Sequence, residues 1–257
     1  FQNNGVEIFP IPVLADGIDL QALSLSPAKA VHIAPSHQFP TGAVMPIQKR
    51  MEILRWANEN GNFIIEDDFD SEFRYNARPI PSLQSIDREG RVIYMGTFSK
   101  ALSAGLRVGY MVLPFDMLSA FEEAYMGVQC TVPTFVQQIL TRFIAEGHWE
   151  RHIRKLCQIH KKRHDTLITN LNMMFGDRIR IHDQNAGLHI LVEIAGVSDE
   201  QELIRRAADV GVQVYPTSPC WLEQKNHLQS AVLLGFAMVP EAEIPQVVTL
   251  LAKAWPA

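Results

Sequence analysis

The run Gly96-Thr97-Phe98-Ser99-Lys100-Ala101-Leu102-Ser103-Ala104-Gly105-Leu106-Arg107 sets a lysine beside hydroxyl groups, with an arginine seven residues beyond it. A lysine amine held at a strand end among apolar neighbours has its charged form disfavoured by desolvation, which makes it competent to form a Schiff base with an aldehyde. Thr97 and Ser99 can donate to phosphate oxygens, and the Arg107 guanidinium offers a fork matched to a phosphate dianion.

Aldehyde capture beside phosphate donors points to pyridoxal 5'-phosphate as cofactor, and that cofactor asks for an acid facing its ring nitrogen. Asp67, which follows the apolar run Phe63-Ile64-Ile65 after Glu66, fits that place. Asp67, Asp68 and Asp70 together also have the character of a Mg²⁺ or Ca²⁺ site, a rival to be weighed. Two histidine pairs, His148 with His152 and His160 with His164, have the i, i+4 spacing of helical zinc ligands. Neither has the HExxH arrangement, so both read as solvated helix faces, and no metal is expected. The basic run from Arg151 to Arg163 is interleaved with Ile153, Leu156 and Ile159, which suits a partly exposed amphipathic helix better than a DNA-contacting one.

These side chains need a frame that brings three loops to one edge. Short apolar runs, Val31 to Ala34, Phe63 to Ile65 and Val92 to Met95, each end in polar residues or proline, as strands buried on both faces of a parallel sheet do. The loops 35–42, 67–71 and 96–107 then leave their carboxyl ends, the rim where open parallel sheets bind ligands. Between the first two runs, Met45 to Asn60 predicts a helix with Pro46 in its first turn, Met51, Leu54 and Ala57 on one face and Gly61 as its stop. Residues 71–90, with Pro79 and Pro81, read as a crossover that is mostly loop.

Pro133 opens an amphipathic helix with Phe135, Val136, Ile139, Leu140, Phe143 and Ile144 on one side, broken at Gly147, and a long helix follows from Trp149 to about Met174. Beyond it the pattern is strand (His189 to Ile194), helix (Glu200 to Val210), strands (Val212 to Tyr215, Ala231 to Phe236) and helix (Glu241 to Trp255). The expected organisation is a large domain over residues 1–150 and a smaller carboxyl-terminal α/β domain over 151–257.

The lysine segment, the acidic strand end and Ser36-His37-Gln38-Phe39-Pro40-Thr41-Gly42 together resemble the aspartate aminotransferase fold, the fold type I architecture of pyridoxal-phosphate enzymes. The HQFPTG variant is similar to the aminotransferase-like domain of MocR/GabR-type regulators of the GntR superfamily. The resemblance extends through Ala186-Gly187-Leu188-His189 and Val212 to Pro216, as far as Leu233 to Ala237. It implies an α/β chain with a mostly parallel large-domain sheet. It also implies that Lys100 carries the cofactor as a Schiff base, Asp67 pairs with the pyridine nitrogen, and Thr97 with Arg107 binds the phosphate. The 35–42 loop, with His37, would lie beside the cofactor ring.

Two departures accompany the resemblance. Phe69 stands where the family commonly has a tyrosine that donates to the cofactor's phenolic oxygen, and Leu233 stands where many aminotransferases hold the substrate carboxylate with arginine. The family's full architecture adds an amino-terminal winged helix, a linker and a Gly-rich phosphate loop, none of which this chain carries. Its abrupt, apolar start fits the remainder of a longer protein.

The implied function is an effector-sensing and dimerisation domain of a regulator, binding an amino compound as effector, forming a homodimer, and reaching DNA only through a winged helix outside this chain. A free-standing aminotransferase acting on an amino acid and a 2-oxo acid is the alternative, and a cofactor-free structural or partner-binding remnant a third reading.

Composition narrows the field further. With 257 residues, 47% apolar, the chain can build a sizeable core, which excludes disorder and a small disulfide scaffold. Its net charge of −5 argues against nucleic-acid binding by this chain alone. Cys130, Cys157 and Cys220 form no CxxC pair and are an odd number, which suits reduced thiols and a cytoplasmic location. No run is long enough for a membrane span.

Overall fold

The computed structural model describes residues 1–75, 80–182, 185–197, 199–222 and 228–255. Residues 1–38, 43–71 and 78–153 form one compact unit, and residues 39–42, 72–77 and 154–257 a second.

In the first unit the apolar runs pair as a four-stranded sheet in the order β3 (Ala30–Ile33), β4 (Phe63–Asp68), β5 (Val92–Thr97) and β6 (Gly109–Val112). The first three strands are parallel and β6 returns antiparallel to β5. A small hairpin, β1 (Val13–Leu14) with β2 (Gly17–Ile18), leads into α1 (Leu20–Leu25). Asp19 caps α1 by accepting from the N–H groups of Gln21 and Ala22.

The β3–β4 crossover is α2 (Ile47–Asn60), which Gly61 ends in the left-handed conformation at φ 63°. Its buried face is Ile53, Leu54 and Ala57 together with Lys49 and Arg50, whereas Met51, expected on that face, is exposed. The periodicity was ambiguous here because the basic residues Lys49 and Arg50 occupy buried turns that an apolar count assigns to solvent. The β4–β5 crossover, expected to be mostly loop, holds the one-turn helix α3 (Leu83–Ile86), capped by Ser82; Pro79 lies outside the described residues. Leu23, Ile53, Leu54, Ala57 and Leu83 from these helices close over Val31, Ile33, Ile64 and Val92 on one face of the sheet.

After β6 come α4 (Leu118–Ala124) and α5 (Thr134–Ala145), then α6 (His148–Phe175), which begins in the first unit and continues into the second. Of the apolar stripe on α5 only Leu140 is buried, while Phe135 is 64% and Ile139 59% exposed. The stripe signals that a helix needs cover without saying what supplies it.

The second unit has an antiparallel sheet in the order β7 (Ile179–His182), β8 (His189–Ile194), β10 (Ala231–Gly235) and β9 (Tyr215–Pro216), with α7 (Glu200–Asp209) and α8 (Ile244–Ala254). Leu191, Ala231 and Leu233 pack together here, so Leu233 serves as core. The fully buried Trp255 donates from its indole to the Leu203 carbonyl, which ties the chain's end to α7. Among the described residues no helix is long and apolar enough to cross a membrane.

On α6, His160 and His164 are buried, against the expectation of a solvated face. His160 meets the Phe73 ring edge-on, and His164 stacks on Tyr75 and meets Phe236. Histidine reads as polar in a periodicity count, yet its ring packs as an aromatic when neutral.

The rim of the first sheet is organised around Arg50, whose guanidinium is fully buried. It donates to the carbonyls of Pro35 at 2.8 Å, Met45 at 3.1 Å and Pro81 at 2.8 Å, and lies 3.9 Å from Glu66. Glu66 accepts in turn from the N–H groups of Leu83 and Gln84, both at 2.9 Å, at the start of α3. Burial pushes the Glu66 carboxyl up, against the pull of those N–H groups and of Arg50.

Two outcomes follow. Arg50→Met strands the carbonyls of the buried residues Pro35 and Met45 and the buried Glu66 carboxyl, and urea denaturation should show a loss of ~3–5 kcal/mol. His160 is held below its usual 6.5 by burial and then by Arg163, so the unfolded chain takes up its proton first as pH falls. Stability should therefore be complete above about pH 7 and decline below about 6.5, with a shallower decline in His160→Leu, as read from denaturation midpoints between pH 8 and 5.

Candidate functional site

Alternation along β4 sends its acids to opposite faces. Glu66 and Asp68 point into the buried side with Ile64, while Asp67 shares the other face with Ile65. The register pairs Asp67 with Met95 and Asp68 with Gly96, so Thr97, two residues past Met95, emerges on the Asp67 face at the sheet's carboxyl edge. On β3, His32 lies opposite Ile65 and therefore on that same face.

Each acid has its own partner. Asp68 accepts from the Tyr94 hydroxyl at 2.6 Å and from Ser71 at 2.7 Å. Burial and then Asp68 push the Tyr94 hydroxyl up, so that it stays protonated as the donor. Asp70 pairs with His37 Nδ1 at 2.8 Å, both side chains being buried. Asp67 lies 3.3 Å from His32 Nε2. The three carboxylates thus diverge to separate partners, which gives no support to the rival of a cation site shared by Asp67, Asp68 and Asp70.

The turn after β5 holds the other expected residues. Thr97 Oγ1 accepts from the Ser99 N–H at 3.1 Å and lies 3.0 Å from the Ser99 hydroxyl, which pairs the two hydroxyls. Lys100 follows in the turn and is exposed, so the expected desolvation by apolar neighbours is absent from the first unit. The next residue, Ala101, is anchored by its carbonyl 2.7 Å from His152 Nε2. Arg107 ends the 3-10 turn Ala104–Leu106 with φ 54° and is exposed, with no acidic partner among the described residues. Phe69 packs its ring 6.1 Å from that of His37, a hydrocarbon edge where a tyrosine would have placed a hydroxyl.

The first unit therefore brings Asp67, Thr97, Ser99, Lys100 and Arg107 to the carboxyl ends of two neighbouring strands, with His37 and Phe69 on the adjoining loops. A carboxylate, a hydroxyl pair, an accessible amine and an uncommitted guanidinium are the chemical complement of a phosphorylated pyridine aldehyde, so these residues fit pyridoxal phosphate. The sequence reading missed His32, Tyr94 and His152. His32 could have been found only from the β3–β4 register, and His152 from the helix start that faces the lysine turn.

Close approach also explains Gly96. A Cβ there would run into the Tyr110 ring from the paired strand β6. Gly96→Ala should displace the half-exposed Tyr110 ring beside Thr97, lowering stability by no more than ~1 kcal/mol in thermal or urea unfolding.

Comparison with known proteins bears on the family and the fold. The sequence profile of the family "Aminotransferase class I and II" matches residues 1–251. The chain is 40% identical over 256 residues to the uncharacterized HTH-type transcriptional regulator YdeL of Bacillus subtilis (strain 168), covering 99% of this chain and 55% of that protein. It is 28% identical to the probable rhizopine catabolism regulatory protein MocR of Rhizobium meliloti, over 98% of this chain and 50% of that one. Among solved structures it resembles the multiple substrate aminotransferase of Thermococcus profundus at 28% identity and a TM-score of 0.85, covering 95% of this chain and 62% of that chain. The chain spans about half the length of the curated regulators it matches. From the profile match across nearly its whole length, and from a fold shared with solved aminotransferases, the chain belongs to the aminotransferase class I and II family, whose cofactor is pyridoxal 5'-phosphate.

Proposed function

We propose that this chain is the effector-sensing and dimerisation part of a pyridoxal-phosphate-dependent transcription regulator of the MocR type. The observation that carries the proposal is its similarity, along 99% of its length, to an HTH-type regulator about twice as long. Contact with DNA would belong to a winged helix outside this chain, in keeping with the net charge of −5. The exposed stripe of α5 supports a homodimer, since an apolar patch of this kind marks an association surface.

In this reading Lys100 holds the cofactor covalently through its amine, Asp67 accepts from the ring nitrogen, and Thr97, Ser99 and Arg107 take the phosphate. His37, fixed by Asp70, and Phe69 line the ring. Bound there, the cofactor supplies an aldehyde carbon that accepts a primary amine and a ring that withdraws electrons. Lys100 would be the amine through which the site answers an amino compound, and a change in how that side chain is held is what the domain would report as a shift between conformations. With Phe69 rather than a tyrosine, this site has one hydroxyl donor fewer with which to control proton transfer. That difference favours capture over rapid turnover.

The solved aminotransferases that share the fold support the second reading, a working transaminase. Both readings share a first test, in which the chain is mixed with pyridoxal phosphate, reduced with borohydride and digested for mass analysis. A pyridoxyl group on Lys100, with the visible absorption lost in Lys100→Ala, is expected; equal labelling of the variant would sink the assignment. Amino acids with 2-oxoglutarate then separate the readings, with at most one turnover per site for a sensor and sustained oxo-acid exchange for an enzyme.

A further inference from the structure

We propose that His32 is a positioning residue for Asp67: it grips one carboxylate oxygen so that the other is presented to the ring nitrogen of the cofactor. This rests on the placement of Asp67 in the preceding proposal and adds a residue that lies outside the lysine, acid and phosphate-binding set.

The register of the parallel strands makes the pairing possible. His32 stands opposite Ile65, and Asp67 is the next residue of β4 on the same face, diagonal to His32. Such diagonal neighbours are within reach of a side chain as long as histidine. Nε2 of His32 lies 3.3 Å from Oδ2 of Asp67, with the imidazole 45% and the carboxylate 35% exposed. Among the described residues no other side chain pairs with Asp67. Its neighbours on the face, Ile65 and Met95, are apolar and offer it nothing.

The other two acids of the segment are each immobilised, Asp68 by Tyr94 and Ser71 and Asp70 by His37. Without His32, Asp67 would be the one carboxylate of the three free to rotate about its Cβ–Cγ bond. Fixing Oδ2 leaves Oδ1 as the acceptor for a ring N–H and removes the ordering cost from the binding step. The imidazole need only keep its proton on Nε2, which either the neutral Nε2–H form or the imidazolium does.

The half-exposed position makes the test clean, because substitution there removes little packing. His32→Phe keeps a flat ring without a donor, and His32→Gln keeps an N–H at nearly the same reach. Pyridoxal phosphate affinity would be measured by absorbance titration of the chain, with borohydride mapping to Lys100 and thermal midpoints as fold controls. His32→Phe is expected to weaken binding roughly tenfold, and His32→Gln to stay within about threefold of the wild type.

The decisive comparison uses 1-deazapyridoxal 5'-phosphate, whose ring has C–H where the nitrogen stood. Wild type and His32→Phe should bind it equally, because Asp67 then has nothing to accept. Equal affinity of wild type and His32→Phe for the natural cofactor overturns the role of His32 alone. A tenfold loss that persists with the deaza analogue also overturns it, by showing that His32 acts through general structure. Absence of any Lys100 adduct in the wild type overturns the site itself and this inference with it.

Discussion

A buried guanidinium sets the geometry of the sheet edge that carries the candidate site. Arg50 comes from the first turn of α2, yet its donors go to carbonyls at the ends of three segments: the loop after β3, the entry to α2 and the stretch before α3. Parallel strands fix where loops leave the sheet but not how they lie, since loop carbonyls would otherwise turn to water. A cation excluded from solvent reverses that preference, for it must find acceptors where it sits. Glu66 completes the arrangement by taking two N–H groups at the α3 start while standing near the charge. The 35–38 stretch that carries His37 is thereby clamped at Pro35 before it reaches Asp70.

The same strand that sends Glu66 inward sends Asp67 outward, and the division of labour rests on this alternation. One face of the sheet is filled by α1, α2 and α3 and carries the clamp; the other carries Asp67, Thr97 and His32. A run of three acids at a strand end is expensive to bury together. Here alternation turns Asp67 to the other face, and dedicated donors, Tyr94 and Ser71 for Asp68 and the α3 N–H groups for Glu66, satisfy the two that stay buried.

Much of this was legible in the sequence because apolar runs and punctuation agreed. The strands Phe63–Asp68 and Val92–Thr97, the helix stopped at Gly61 and the long α6 all follow from local signals. What stayed hidden depended on pairing across the chain. Asp67 was singled out from its place at the end of an apolar run, but that it and Thr97 share a face with His32 needs the register, which no single segment encodes. Arg50 draws no notice in the sequence, and His160 and His164 read there as a solvated face, because a polar residue type suggests a solvent-facing position. The first is buried because carbonyls satisfy it and the others because neutral imidazoles pack against Phe73, Tyr75 and Phe236. Lys100 shows the reverse error, since apolar neighbours in sequence do not enclose it in space.

Arg107 is, among the described residues, the one non-glycine side chain on a backbone with positive φ, in a chain that places glycine at many such bends. An L-residue in that conformation gives up roughly 1–2 kcal/mol to crowding between its Cβ and the following carbonyl. Glycine would relax the turn and arginine does not, so the bend sits at a local energetic disadvantage that its own side chain creates. Such a position is a tension held in the ground state, and an anion that engages the guanidinium would be working against a backbone already wound, with part of its binding felt as torque on the turn that carries Lys100.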